Sequence, residues 1–180
     1  ISIILTSVVF TTLTSCIASY NVQGSSNIST LDGRKLYLKV LKNNEFKNID
    51  SCDVVHGQFS FNGALDSVRM ANIFMVLEKG NISVKVDDTQ LQATGTPLNE
   101  RLFEFLKDYN KILGERDDLV HRHDQAIMNG SDMNVVIRQL QDDELRLTAM
   151  QDSLVTNFVT ENFDNVLGPG VFFLVTIGYP

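Results

Sequence analysis

The periodicity of this chain changes once, at Thr94-Gly95-Thr96-Pro97, and that change divides what it can fold into. Before it, apolar residues recur at every second position. Leu36, Leu38 and Val40 share one face of 35–41, Phe59 and Phe61 share one face of 58–62, and Ile82-Ser83-Val84-Lys85-Val86 alternates in the same way. The run 73–77 is apolar throughout, as expected of a central strand covered on both faces. Asp32-Gly33, His56-Gly57 and Lys79-Gly80 each offer a glycine where a positive φ is wanted, so each is a hairpin candidate. Their spacing of 24 and then 23 residues predicts a small antiparallel sandwich or barrel.

After the change the period is helical. Thr96 is placed as an N-cap, Pro97 suits the first helical position, and Glu100 lies in the first turn, where the helix dipole favours a carboxylate. Leu98, Leu102, Phe105, Tyr109 and Ile112 form one apolar seam, continued through Arg116, Leu119, His123 and Ile127. Asn129-Gly130-Ser131 breaks the pattern and Asp132 caps a second helix. Its seam is Val136, Leu140, Leu147, Met150, Leu154 and Phe158. So short a break favours an antiparallel hairpin. Folding about Gly130 pairs positions whose numbers sum to about 261, which sets Arg116 or Arg122 against Asp142, Asp143 or Glu144. Gly168-Pro169-Gly170 reads as the end of this region. The fold class is α+β, with a β-rich domain over 16–95, a helical hairpin over 96–167, and the start of a further, truncated segment over 168–180.

The opening ISIILTSVVFTTLTSC poses a separate question. At fifteen residues, 1–15 is too short for a membrane-crossing helix, which needs about 20 apolar residues. It is long for a strand, and has the length of a signal-peptide apolar region. It ends on Leu13-Thr14-Ser15-Cys16, which resembles the bacterial lipobox: a branched apolar residue, two small residues, then cysteine. The resemblance implies thioether lipidation of Cys16 and cleavage before it, with 1–15 as part of a lipoprotein signal peptide whose start is missing. More than one acyl chain makes a stable anchor, at about 0.8 kcal/mol per buried CH₂. With Cys16 so used, Cys52 has no intrachain partner and reads as a small buried hydrophobe.

Chemistry is harder to find. Net charge is −7 with no Lys/Arg cluster, which excludes a phosphate-backbone partner such as nucleic acid. His121-Arg122-His123-Asp124 sets two histidines at i and i+2, on opposite sides of a helix, where a zinc pair needs i and i+4. Asp87-Asp88-Thr89 matches half a calcium loop and lacks the twelfth-position glutamate. Asp50-Ser51-Cys52-Asp53 places a thiol beside carboxylates, but the nearest base, His56, falls at an expected turn. These residues therefore predict no active site, no metal and no cofactor.

Four stretches in order, behind the lipobox, carry a family resemblance. They are Ile49-Asp50-Ser51-Cys52, His56-Gly57-Gln58-Phe59-Ser60-Phe61-Asn62-Gly63, Gly95-Thr96-Pro97-Leu98-Asn99-Glu100, and Phe158 through Gly168. Together they resemble the N-terminal domain of unknown function of Bacteroidetes-type thiol:disulfide interchange lipoproteins, which precedes an AhpC/TSA-type, thioredoxin-like domain. The resemblance implies a non-catalytic anchoring and interaction module on the periplasmic side of a bacterial membrane. Its partners would be the membrane through Cys16, a C-terminal thioredoxin-like domain in cis, and periplasmic proteins. The competing expectation is a stand-alone lipoprotein that binds a ligand or glycan through its β domain. A third is a dimerisation arm made by the charged hairpin.

Overall fold

A computed structural model describes residues 18–43, 45–71, 75–88 and 91–176. Eight strands come first: β1 Ala18–Ser26, β2 Lys35–Lys42, β3 Glu45–Asp53, β4 Gln58–Leu65, β5 Arg69–Ala71, β6 Met75–Leu77, β7 Gly80–Val86 and β8 Leu91–Thr94. Three helices follow: α1 Pro97–Met128, α2 Met133–Glu161 and α3 Leu167–Thr176. The α+β architecture is the one the periodicity predicts.

The strands form two four-stranded sheets, β4-β1-β7-β8 and β3-β2-β5-β6. All pairs are antiparallel except β1 with β7, which run parallel. Alternation decides what lies between the sheets. Tyr20, Val22, Phe59, Phe61, Ile82 and Val84 project from one, and Leu38, Val40, Met75 and Leu77 from the other, into a single core. Two cross-strand pairs on β1 and β4 set a ring over a glycine: Gly24 opposite Phe59 and Tyr20 opposite Gly63. A Cβ on Gly24 would fall 2.0 Å from Phe59 Cζ, so the missing side chain is the room that the ring occupies.

The second sheet is apolar on its outer face too. Met70 and Val76 pack there against Leu102, Phe105, Phe158 and Val171, with the Phe105 and Phe158 ring centroids 4.3 Å apart. Met75, Val76 and Leu77 are thus all buried, as the apolar run implies. Its expected central position is corrected: β6 is an edge strand, and α1 covers it instead of a neighbouring strand. Residues 72–74 of that run lie outside the described residues.

Of the three expected hairpins only His56-Gly57 is a two-residue hairpin turn. Its φ values of 51° and 71°, with reciprocal Val55–Gln58 backbone bonds of 2.9 and 3.0 Å, make it type I′. Asp32-Gly33 is also a turn, Arg34 N donating to Leu31 O at 3.0 Å, but neither it nor Lys79-Gly80 has flanking strands that pair with each other. The β2–β3 hairpin turns at Asn43, at φ 54°, where no glycine marks it; asparagine tolerates that conformation.

The helical hairpin folds where expected. Asp132 caps α2, its Oδ1 accepting from Asn134 N at 2.8 Å and Val135 N at 3.3 Å. Three ion pairs cross the hairpin: Arg101–Glu161 at 3.5 Å, Glu115–Arg146 at 3.6 Å and Arg116–Glu144 at 3.0 Å. The last is one of the pairings that folding about Gly130 predicts. Ile112, Leu119 and Leu147 close the seam, but Met150 is exposed beside it. Gly168-Pro169-Gly170 is the first turn of α3 and no terminator. Asn165 Oδ1 accepts from Leu167 N at 2.9 Å, Asn162 O accepts from Gly168 N at 3.1 Å, and a proline in a first turn forfeits no helical hydrogen bond. α3 then enters the same core as α1 and α2 through Leu167, Val171 and Leu174.

Candidate functional site

β3 and β4 are the edge strands of different sheets, joined by the His56-Gly57 turn. Near the turn they stay together, Val55 bridging Gln58. Farther along, β3 carries a bulge. Leu38 pairs with Asp50 and Lys39 with Asn48, which leaves Ile49 as an extra residue. A bulge bends its strand and re-aims the neighbouring side chains. Beyond it the two edges enclose a cleft of about 610 Å³, walled by Val40, Ile49, Leu65 and Leu77 and floored at Gly63.

Two polar groups from facing sheets line this cleft. Tyr20 projects inward from β1, and its ring reaches over Gly63 so closely that a Cβ there would lie 2.6 Å from Oη. The residue is only 6% exposed, yet its hydroxyl makes no hydrogen bond among the described residues. Asp50, half-buried on β3, lines the cleft opposite; its Oδ1 accepts from Ser51 N at 2.7 Å, and no ion pair to it exists among the described residues. Burial raises the Tyr20 phenol above its ordinary pKa, and the Asp50 charge raises it further. Tyr20 therefore stays a protonated donor. At the rim Arg69 is already engaged, Nη2 donating to Asp66 at 2.6 Å and Nε to Ser67 Oγ at 3.0 Å. What remains uncompensated is the Asp50 carboxylate.

A second cavity of about 410 Å³ lies at the other end of the sandwich, among Val22, Leu38, Phe59, Val84 and Leu91. Its lining is largely apolar and brings no set of polar groups together.

Residues 20–102 match a family model described as Domain of unknown function (DUF4369). The match spans just under half of the 180 residues. It runs from Tyr20 itself through the first turns of α1, so both sheets and the whole cleft fall inside it. No curated protein and no solved structure matches the chain.

The residues singled out from sequence are scattered. Leu13, Thr14, Ser15 and Cys16 lie outside the described residues. Cys52 packs against the sandwich core, and burial raises its thiol pKa; the Ser60 backbone bond opposes this, and Asp50 and Asp53 add to it. Such a thiol is a poor nucleophile at neutral pH. His56 sits in the exposed turn, and His123 meets Asp124 at 3.6 Å on the hairpin. No group of three or more His, Cys, Asp or Glu among the described residues could hold a metal ion. No described helix is long and apolar enough to cross a membrane. Sequence reasoning named Asp50 beside Cys52 but missed Tyr20. The available signal was Gly63, an isolated glycine in a strand pattern, which marks a close approach by another group.

Proposed function

We propose that this chain is a non-catalytic, lipid-anchored module on the periplasmic side of a bacterial membrane, serving a thioredoxin-like domain in cis. The carrying observation is Leu13-Thr14-Ser15-Cys16 standing immediately ahead of β1. β1 is an interior strand of its sheet, so the chain becomes fixed within two residues of Cys16. At the extended limit that is about 7 Å of backbone. A lipidated Cys16 would therefore hold the sandwich against the membrane surface, with little tether between them.

The Tyr20–Asp50 cleft lies at that same end: Ala18 pairs with Leu65, and Leu65 lines the cleft. The redox setting rests on the order of the four resembling stretches alone. Cys52, with its raised pKa, takes no part in the redox chemistry of this reading.

The test is metabolic labelling of the full-length protein with an alkyne fatty acid in a bacterial host, beside Cys16→Ser. Label on the parent that is lost in the variant is expected. An unlabelled parent, or an amino terminus mapped elsewhere than Cys16, overturns the anchor. Reading the coding DNA past Pro180 tests the redox setting, with Cys-x-x-Cys as the expected result. The cleft favours one second reading, a ligand-binding lipoprotein without a redox partner, for which a stop codon soon after Pro180 is the expected result.

A further inference from the structure

The cleft between β3 and β4 combines features that together select a ligand. Its walls are apolar: Val40, Ile49, Leu65 and Leu77. Within them stand the hydroxyl of the largely buried Tyr20, which meets the cleft without a hydrogen-bond partner among the described residues, and a carboxylate without a counter-ion among them. The only cation lining the cleft among the described residues, Arg69, already faces Asp66 at 2.6 Å. An anion entering here would meet Asp50 uncompensated. A neutral apolar ligand would cover Tyr20 Oη and leave it unbonded, and a hydroxyl taken from water without a partner opposes binding.

We propose that the Tyr20–Asp50 cleft binds a primary ammonium carried on an apolar stem, the chemistry of a lysine side chain. The ammonium donates to the Asp50 carboxylate, a charge-assisted bond stronger than a neutral one. The methylenes lie along Leu65, Leu77 and Val40, as lysine stems do on apolar surfaces. Tyr20 Oη serves as acceptor to the ammonium or as donor to a carbonyl at the base of the stem, since a hydroxyl can do either. Gly63 is required beneath the ring, because a Cβ would push Oη out of the cleft. The site stands whether or not Cys16 is lipidated, and whether or not a redox domain follows.

The experiment is an NMR titration of the full chain with three probes: N-acetyl-lysine methylamide, hexylamine, and N-acetyl-norleucine methylamide as the uncharged control. Expected are saturable shifts on Asp50, Asn62, Gly63 and Ala64 with both amines, and at least about tenfold weaker binding of the norleucine probe. Asp50→Asn should weaken the amines by a similar factor. Tyr20→Phe removes one oxygen from a packed ring and should weaken them by about threefold. The parent-like spectrum of each variant away from the cleft controls for folding. Equal binding of lysine and norleucine probes, or unchanged amine binding in Asp50→Asn, overturns the proposal. So does the absence of saturable shifts on the parent with both amines. Tighter binding of the lysine probe than of hexylamine identifies the source as a protein lysine, and the reverse identifies it as a free amine.

Discussion

Asn99 completes Val76 as a neighbouring strand would: its Oδ1 accepts from Val76 N at 2.9 Å and its Nδ2 donates to Val76 O at 2.8 Å. Nδ2 also reaches Thr96 Oγ1 at 2.7 Å. One buried amide therefore closes the sheet edge and occupies the residue expected to cap α1. The cap falls to Glu78, whose Oε1 accepts from Leu98 N at 2.8 Å and Asn99 N at 3.2 Å. Asn99→Leu keeps much of the volume but strands both Val76 backbone groups. It should cost about 2–4 kcal/mol, read as a lowered urea midpoint at unchanged m. A midpoint equal to the parent's would show the amide to be dispensable.

Gly168 and Gly170, separated by one proline, should respond differently to alanine. At Gly168 a Cβ would meet backbone, Asn162 O at 2.5 Å and Val159 O at 2.9 Å. At Gly170 it would meet Met70 Cγ at 2.5 Å, part of a flexible side chain. Gly168→Ala should therefore be the more damaging. Gly170→Ala should cost about 1–3 kcal/mol and recover in part when combined with Met70→Ala. Thermal melts of the three variants decide it, and equal loss at both glycines would contradict the packing argument.

Across the hairpin, Glu144, Arg116, Gln151 and Tyr109 form a polar ladder. Arg116 Nη1 donates to Gln151 Oε1 at 2.9 Å, and Gln151 Nε2 donates to Tyr109 Oη at 2.9 Å. The Arg116 Nε–Glu144 contact is a charge contact at 3.0 Å whose N–H direction misses the carboxylate, so Nε makes no hydrogen bond. A double-mutant cycle on Arg116 and Glu144 should give a coupling of about 0.2–1 kcal/mol that shrinks in added salt. Zero coupling at low salt would count against the pairing as a determinant of register.

Alkali should weaken the fold through Cys52 and Tyr20. Burial is the main cause that raises both pKa values, so the folded state prefers the neutral forms. Below the unfolded pKa values this preference is fully present; as pH rises through the folded values it is lost. Stability should fall from about pH 9 upward, and less steeply in Cys52→Ala and Tyr20→Phe. The same cause predicts that Cys52 reacts with a neutral disulfide reagent more slowly than a free thiol does. A parallel decline in parent and variants would place the alkaline transition elsewhere.

The helical half was legible because its information is local. Asp132, Gly130 and the seam through Ile112 and Leu147 each announce a cap, a break or a face within a few residues. The sheets were less so. β1 carries two large apolar or aromatic residues on its inward face, Tyr20 and Val22, followed by Gly24 where alternation would ask for a third. The missing volume is Phe59, supplied from a strand more than thirty residues on. β6 was misplaced for a related reason: an apolar run reveals that both faces are covered, and cannot reveal that one cover is a helix. The cleft was hidden because Tyr20 and Asp50 meet only once the two sheets face each other.

The parallel pairing of β1 with β7 has a kinetic consequence. β1, earliest in the chain of the described strands, sits in the interior of its sheet, with Gln58–Leu65 on one side and Gly80–Val86 on the other. Val22 faces Ile82 only after sixty residues of chain have followed it. Pairings of such sequence separation close slowly, because the loop entropy is lost before the contacts form. The α1–α2 hairpin, made after the strands, closes on neighbouring residues and can form as soon as it has emerged. β1 thus waits unpaired, available to a chaperone, until the chain through Leu65 has emerged, and keeps one open edge until the chain through Val86 has followed.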